Sequence, residues 1–177
     1  MTPRRASAGA TAGLAVALAA DLVAQVAERS PGWAERGGTL AQADVLRERA
    51  TVGARDVAIA YHRLVQALDA AVADPAPATD STELGRQLVL AADVLLEIAE
   101  TASDCAALAV VVAQSGDTVV RADATAAAIL ASAAADMLAH LVEVNLLAST
   151  ERERTARARA LASAAAASRS AAVAIMR

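Results

Sequence analysis

The stretch Arg4–Ser30, RRASAGATAGLAVALAADLVAQVAERS, admits two readings, and the choice between them decides what the rest of the chain can build. Two arginines ahead of an apolar run, with small residues at Ala17 to Ala20, are the parts of an export signal. The same run carries Leu14, Leu18, Leu22 and Val26 at every fourth position, a helical repeat that passes straight through the supposed cleavage point. Its core is alanine-rich and weakly apolar. Asp21 also interrupts it far short of the roughly 20 residues that a membrane span requires. We read it as the first helix of a folded bundle, with residues 1–6 a flexible N-terminus, and expect a cytoplasmic protein with no membrane partner.

The composition supports a helical protein. Alanine fills 53 of the 177 positions, Lys and Phe are absent, and Trp33 and Tyr61 are the only aromatics. Alanine is the strongest helix former but fills little volume, so such a chain favours long helices whose backbones approach closely over a sheet. The class is all-α and the length that of one domain, 1–177. A net charge of −4 with no basic stripe excludes the electrostatic footprint of a nucleic-acid binder. Cys105 stands alone among small apolar neighbours, which reads as a small core residue. His62 and His140 are the only histidines, and no His and Cys group has metal-ligand spacing, so no metal site is expected.

Breaks along the chain mark the helices. The first run stops at Ser30-Pro31-Gly32, and a second starts near Thr39, after Gly37-Gly38, and continues to Asp74. Val57, Tyr61, Leu64, Leu68 and Val72 form its apolar stripe, which predicts a buried face. The stretch DPAPATDST, 74–82, is the clearest loop, ending on capping residues for a third helix that runs to about Gln114. A shorter loop, SGDTVVRAD, precedes a fourth helix from about Asp123 to Ala148. The segment 150–177 is a fifth. About five helices with short connections imply an up-and-down bundle.

The fourth helix holds the informative polar residues. At about 100° per residue from Asp123, Leu130, Leu138, Leu141 and Asn145 fall within roughly 60°, whereas Asp136, His140 and Glu143 cluster near 200–260°. The second group reads as a solvated ridge. Asp123 and Asn145 lie on the leucine face, where a polar group needs partners or costs about 1–3 kcal/mol, so both are candidates for a site. Each also has a structural reading, Asp123 as a first-turn acid and Asn145 as a terminal cap. They stand 22 residues apart, which is about 33 Å along a straight helix, so one pocket in one copy cannot hold both. Two antiparallel copies would bring them together, and a homodimer is expected.

The order of these signals resembles the cyclodeaminase/cyclohydrolase family, the C-terminal domain of formiminotransferase-cyclodeaminase and stand-alone methenyltetrahydrofolate cyclohydrolases. LAVALAADLVAQVA looks like its first helix, LRERATVGARDVAIAY its second and AADVLLEIAETASDCAALA its third. The stretch from Ala122 to Ser149 is similar to the family's Ser-Asp-Ala start and Asn-Leu end, with Asp123, Ala124, Asn145 and Leu146 kept. The resemblance implies an all-helical homodimer acting on one-carbon units of a tetrahydrofolate derivative, as substrate or ligand, with no tightly bound cofactor. It implies Asp123 as the catalytic carboxylate, and Asn145, Ser7, Gly9 and Thr11 as substrate-binding positions.

Several positions depart from the family pattern. Ser7-Ala8-Gly9-Ala10 stands where the family carries a Gly-Gly-Gly-Ser loop, Val57 replaces its helix-two Asp, Leu95 its Pro, and Glu143 its Arg. The resemblance thus leaves two outcomes, a cyclodeaminase or cyclohydrolase with a diverged site and a non-catalytic helical dimer that binds a ligand or a protein.

Overall fold

The computed structural model describes residues 7–73, 82–147 and 149–176. Residues 1–6 and nearly all of the loop expected over 74–82 lie outside these. The described residues form five α-helices: α1 (Ala8–Glu28), α2 (Arg36–Ala73), α3 (Glu83–Ser115), α4 (Arg121–Asn145) and α5 (Arg152–Ile175), with one 3₁₀ turn at Thr118–Val120. No strand occurs among the described residues. Successive helices run up and down, α1 to α4 share one core, and α5 lies across α3 and α4.

Local chemistry sets the boundaries. Ser7 caps α1, its Oγ accepting from the Ala10 amide at 3.3 Å, and Thr82 caps α3 in the same way, accepting from Gly85 at 3.1 Å. The end of α1 is tied to the next turn of the bundle by Ser30, whose hydroxyl donates to the Val26 carbonyl at 2.7 Å and accepts from the Asp117 amide at 2.8 Å. By length and hydropathy α1 and the segment Thr118–Asn145 could each cross a membrane, but more than half of either window is buried inside the bundle. The expected first bundle helix is present.

The buried face of α1 takes in only the end of its leucine repeat, where Val26 is fully buried and Leu22 partly so. Leu14 and Leu18 are half exposed, while Gly9, Ala12, Gly13, Val16, Ala20 and Val23 face the core. The physical reason is backbone proximity. A Cβ on Gly13 would stand 2.9 Å from the Ala54 Cβ and 3.2 Å from the Ala50 carbonyl, so α1 and α2 touch almost backbone to backbone. A Cβ on Gly53 would meet the Ile98 side chain at 2.6 Å, so the seam between α2 and α3 is filled by that side chain. Leucine cannot enter such seams, and small residues take the core positions.

The stripe expected to be buried on α2 is only partly so. Val57 is buried and Leu64 half-buried, but Tyr61, Leu68 and Val72 are exposed. Gly9 lies level with Val57, Leu95 and Leu141. From that level α2 continues for 16 more residues, about 24 Å, past the start of α1. Tyr61, Leu68 and Val72 keep the core-facing phase where the chain supplies nothing described to cover them.

The arginine-rich last helix, read from sequence as solvated, is a clamp. Arg154 makes a two-pronged ion pair with Asp93 on α3, Nε to Oδ1 at 2.6 Å and Nη2 to Oδ2 at 3.2 Å, and also reaches Glu151. These carboxylates raise its guanidinium above the ordinary value, the Asp93 hydrogen bond contributing most. Arg157 pairs with Glu100 and Arg159 with Glu143, so Glu143 leaves the expected solvated ridge for an interhelical contact. Asp136 and His140 remain exposed.

Two predictions test this packing. Gly13→Val forces α1 from α2 and should lower unfolding free energy by on the order of 2 kcal/mol in a urea titration. Gly38→Ala, in a helical site with nothing within 4 Å, should instead raise it by about 0.5–1 kcal/mol. Burial pushes the Cys105 thiol up from 9.0 to about 12, with the Asp104 charge adding. Its native value lies above the unfolded one, so its contribution to stability is full below about pH 9 and lost as pH rises towards 12. Thiol reagents should titrate Cys105 only after unfolding.

Candidate functional site

Two helix ends and the flanks of two further helices converge on one cleft. The N-terminus of α1 brings Ser7 and Gly9, the last residue of α4 brings Asn145, and α2 and α3 supply Val57, Tyr61 and Leu95. Leu64 and Leu141 complete its apolar wall. The cavity measures about 130 Å³. Two larger and shallower hollows of about 420 Å³ each run along the outer seam of α2 and α3, past Val45, Val52 and Ile98, and gather none of the polar residues singled out from sequence.

The structure sorts those residues. Ser7, Gly9 and Asn145 line the cleft together. Ser7 to Ala10 is not a loop but the capped first turn of α1, and a helix start offers unbonded amide groups to whatever enters. Thr11 lies outside the cleft lining, exposed, its hydroxyl donating to the Ser7 carbonyl at 3.1 Å. Asp123 sits at the other end of the bundle. Its side chain is 46% exposed and lies 3.8 Å from the Arg29 guanidinium. The burial expected from its helical phase is therefore corrected: it lies on the solvent edge of the leucine face, where an open ion pair contributes little.

The sequence marked Val57 as part of the apolar stripe of α2 and both Val57 and Leu95 as departures from the family pattern, and the geometry explains why they matter together. A Cβ on Gly9 would stand 2.7 Å from Val57 Cγ1 and 2.8 Å from Leu95 Cδ2. These two side chains fill the cleft floor and require a bare backbone at residue 9. Tyr61 and Leu64 form the outer wall, signalled in the sequence by an apolar stripe that outruns the helices beside it. Among the described residues, Tyr61 is the only ionisable side chain in the lining. The described residues therefore present an apolar slot with a hydroxyl, an amide and a helix N-terminus, and bring no carboxylate to it for proton transfer. No cluster of metal-ligating side chains occurs among the described residues.

These features define a helical bundle with a small apolar notch at one end, and its fold has a solved counterpart. A formiminotetrahydrofolate cyclodeaminase from Thermotoga maritima superposes with a TM-score of 0.85 at 17% identity, over 99% of this chain and 89% of that one. At that identity the likeness concerns the fold. The formiminotransferase-cyclodeaminase family model matches residues 3–165, nearly the whole sequence, and the chain belongs to that family. No curated protein sequence matches it.

The crowded floor is testable. Gly9→Ala should destabilise the fold by about 1–2 kcal/mol, and Val57→Ala in the same chain should relieve the clash, so that the two changes couple by more than about 0.5 kcal/mol in a double-mutant cycle.

Proposed function

We propose that this protein binds a tetrahydrofolate derivative in the Ser7–Asn145 cleft and works there as a cyclodeaminase or cyclohydrolase. A cyclodeaminase closes the 5-formimino group into the 5,10-methenyl bridge and releases ammonia. A cyclohydrolase opens that bridge with water. The observation that carries the reading is the convergence of Ser7, Gly9 and Asn145 on one notch in a chain of this family.

The chemistry needs a slot for a flat heterocycle, hydrogen-bonding groups beside the reacting nitrogens and one group that moves a proton. The apolar wall supplies the first, and Ser7 and Asn145 the second. Asp123 supplies the third from a second copy, since about 33 Å separates it from Asn145 along one α4. The active form is thus a homodimer, and the folate is substrate rather than a resident cofactor. Its size agrees with a shared site, because ligand pockets commonly span about 300–1,000 Å³ and one chain encloses about 130 Å³. The protein works in the cytoplasm.

The loss of 5,10-methenyltetrahydrofolate absorbance tests this directly. Wild-type protein should accelerate the decay over buffer, Asp123→Asn should lower kcat/KM by about 100-fold, and Asn145→Ala should chiefly raise KM. Equal rates for wild type and Asp123→Asn would refute the role of Asp123. Saturable folate binding without turnover would identify a ligand-binding relative instead.

A further inference from the structure

The surroundings of Gly9 set the depth of the cleft. A Cβ at residue 9 would meet Val57 on α2, Leu95 on α3 and Leu141 on α4, so these three side chains share one level and form an apolar floor. Four residues towards the mouth on each of those helices, one turn or about 6 Å higher, stand Tyr61, Ala91 and Asn145. Ser7, the N-cap of α1, lies at the same mouth. The cleft is thus layered. Its floor is aliphatic, and at its mouth the four helices contribute a phenol ring, a methyl group, an amide and a hydroxyl.

Tyr61 is the member that packing does not explain. The chain has two aromatic residues, and the other, Trp33, packs against the core at the opposite end of the bundle, beside Gly116 and Asp117. Tyr61 is 55% exposed, and its hydroxyl bonds to no other described residue. Among the described residues it therefore neither fills the core nor ties α2 to a neighbour. What it gives the cleft is a surface that sorts ligands by shape. Aliphatic walls take any apolar group of the right size, whereas a π face gains most from another planar ring laid parallel and offset on it. Ala91, at the same level on α3, projects only a methyl group, which leaves room for such a ring above Val57 and Leu95.

We propose that Tyr61 is a positioning and specificity-determining residue, the platform on which the cleft holds a planar conjugated ring with its edge open to Ser7 and Asn145. The identity of that ring rests on the folate reading: a tetrahydrofolate derivative carries an aminopyrimidinone ring that stays planar when the adjoining ring is reduced. Stacking fixes the plane of the ring and leaves its in-plane polar atoms to the Ser7 hydroxyl and the Asn145 amide. Recognition is divided between a face that selects shape and two groups that read the edge. The role requires the ring of Tyr61 and not its hydroxyl.

Equilibrium dialysis with two probes tests this, unsubstituted pterin as the bare ring system and 5-formyltetrahydrofolate as a stable folate. Wild-type protein should bind both. Tyr61→Phe keeps the ring and should bind within about twofold of wild type, whereas Tyr61→Leu keeps apolar bulk alone and should bind both probes about tenfold more weakly, the size of one lost stacking contact. In turnover the Tyr61→Leu protein should raise KM about tenfold and leave kcat within about twofold, as the loss of a positioning contact requires. Circular dichroism and urea midpoints of both variants should match wild type, because the side chain is more than half exposed. Folate binding unaffected by Tyr61→Leu overturns the inference and leaves the folate reading standing. Tyr61→Phe binding as weakly as Tyr61→Leu overturns it too, since the role then belongs to the hydroxyl. A wild type that binds pterin but not 5-formyltetrahydrofolate, and loses the pterin in Tyr61→Leu, upholds the platform and refutes the folate reading. A wild type that binds neither probe overturns both.

Discussion

The structure depends on how closely its helix backbones approach. Where α1 meets α2 at Gly13 and Ala54, and α2 meets α3 at Gly53 and Ile98, there is no room for one further methyl group without movement. Close approach multiplies weak dispersion contacts along long seams, which compensates a core without phenylalanine for its lack of bulky side chains. It also dictates where larger side chains go. Ile98, Leu138 and a few valines fill the centre, and leucines that would wedge the seams apart are turned to the edges.

The site follows from the same constraint. Because α1 is short and starts at Ala8, its first turn drops into the angle between α2, α3 and the end of α4. The notch there is apolar because its floor is Val57 and Leu95, and it is addressed by a hydroxyl, an amide and a helix N-terminus. Ion pairs play a smaller part. The Arg154–Asp93 pair and its neighbours fasten α5 to the bundle, and being partly exposed they add position more than stability.

Leucines displaced from the seams, together with the overhang of α2, leave apolar surface that the other described residues do not cover. Part of it, at Tyr61, lies beside the notch. A helix of 38 residues packed beside one of 21 must project somewhere, and it projects at the end where Asn145 lies.

The sequence by itself determined the helical class, five segments and most of their boundaries, because alanine content, proline and glycine breaks and capping residues act within a few positions of where they stand. It also singled out Ser7, Gly9 and Asn145, which the fold gathers into one cleft. Their meeting was not legible from spacing, since 136 positions separate Gly9 from Asn145. Nor could a period of 3.6 say which apolar stripe is buried. Leu14 and Leu18 repeat as well as Val16 and Val23, and Tyr61 and Leu68 as well as Val57. Burial is a property of the neighbour, and only the tertiary structure decides where a neighbour begins and ends.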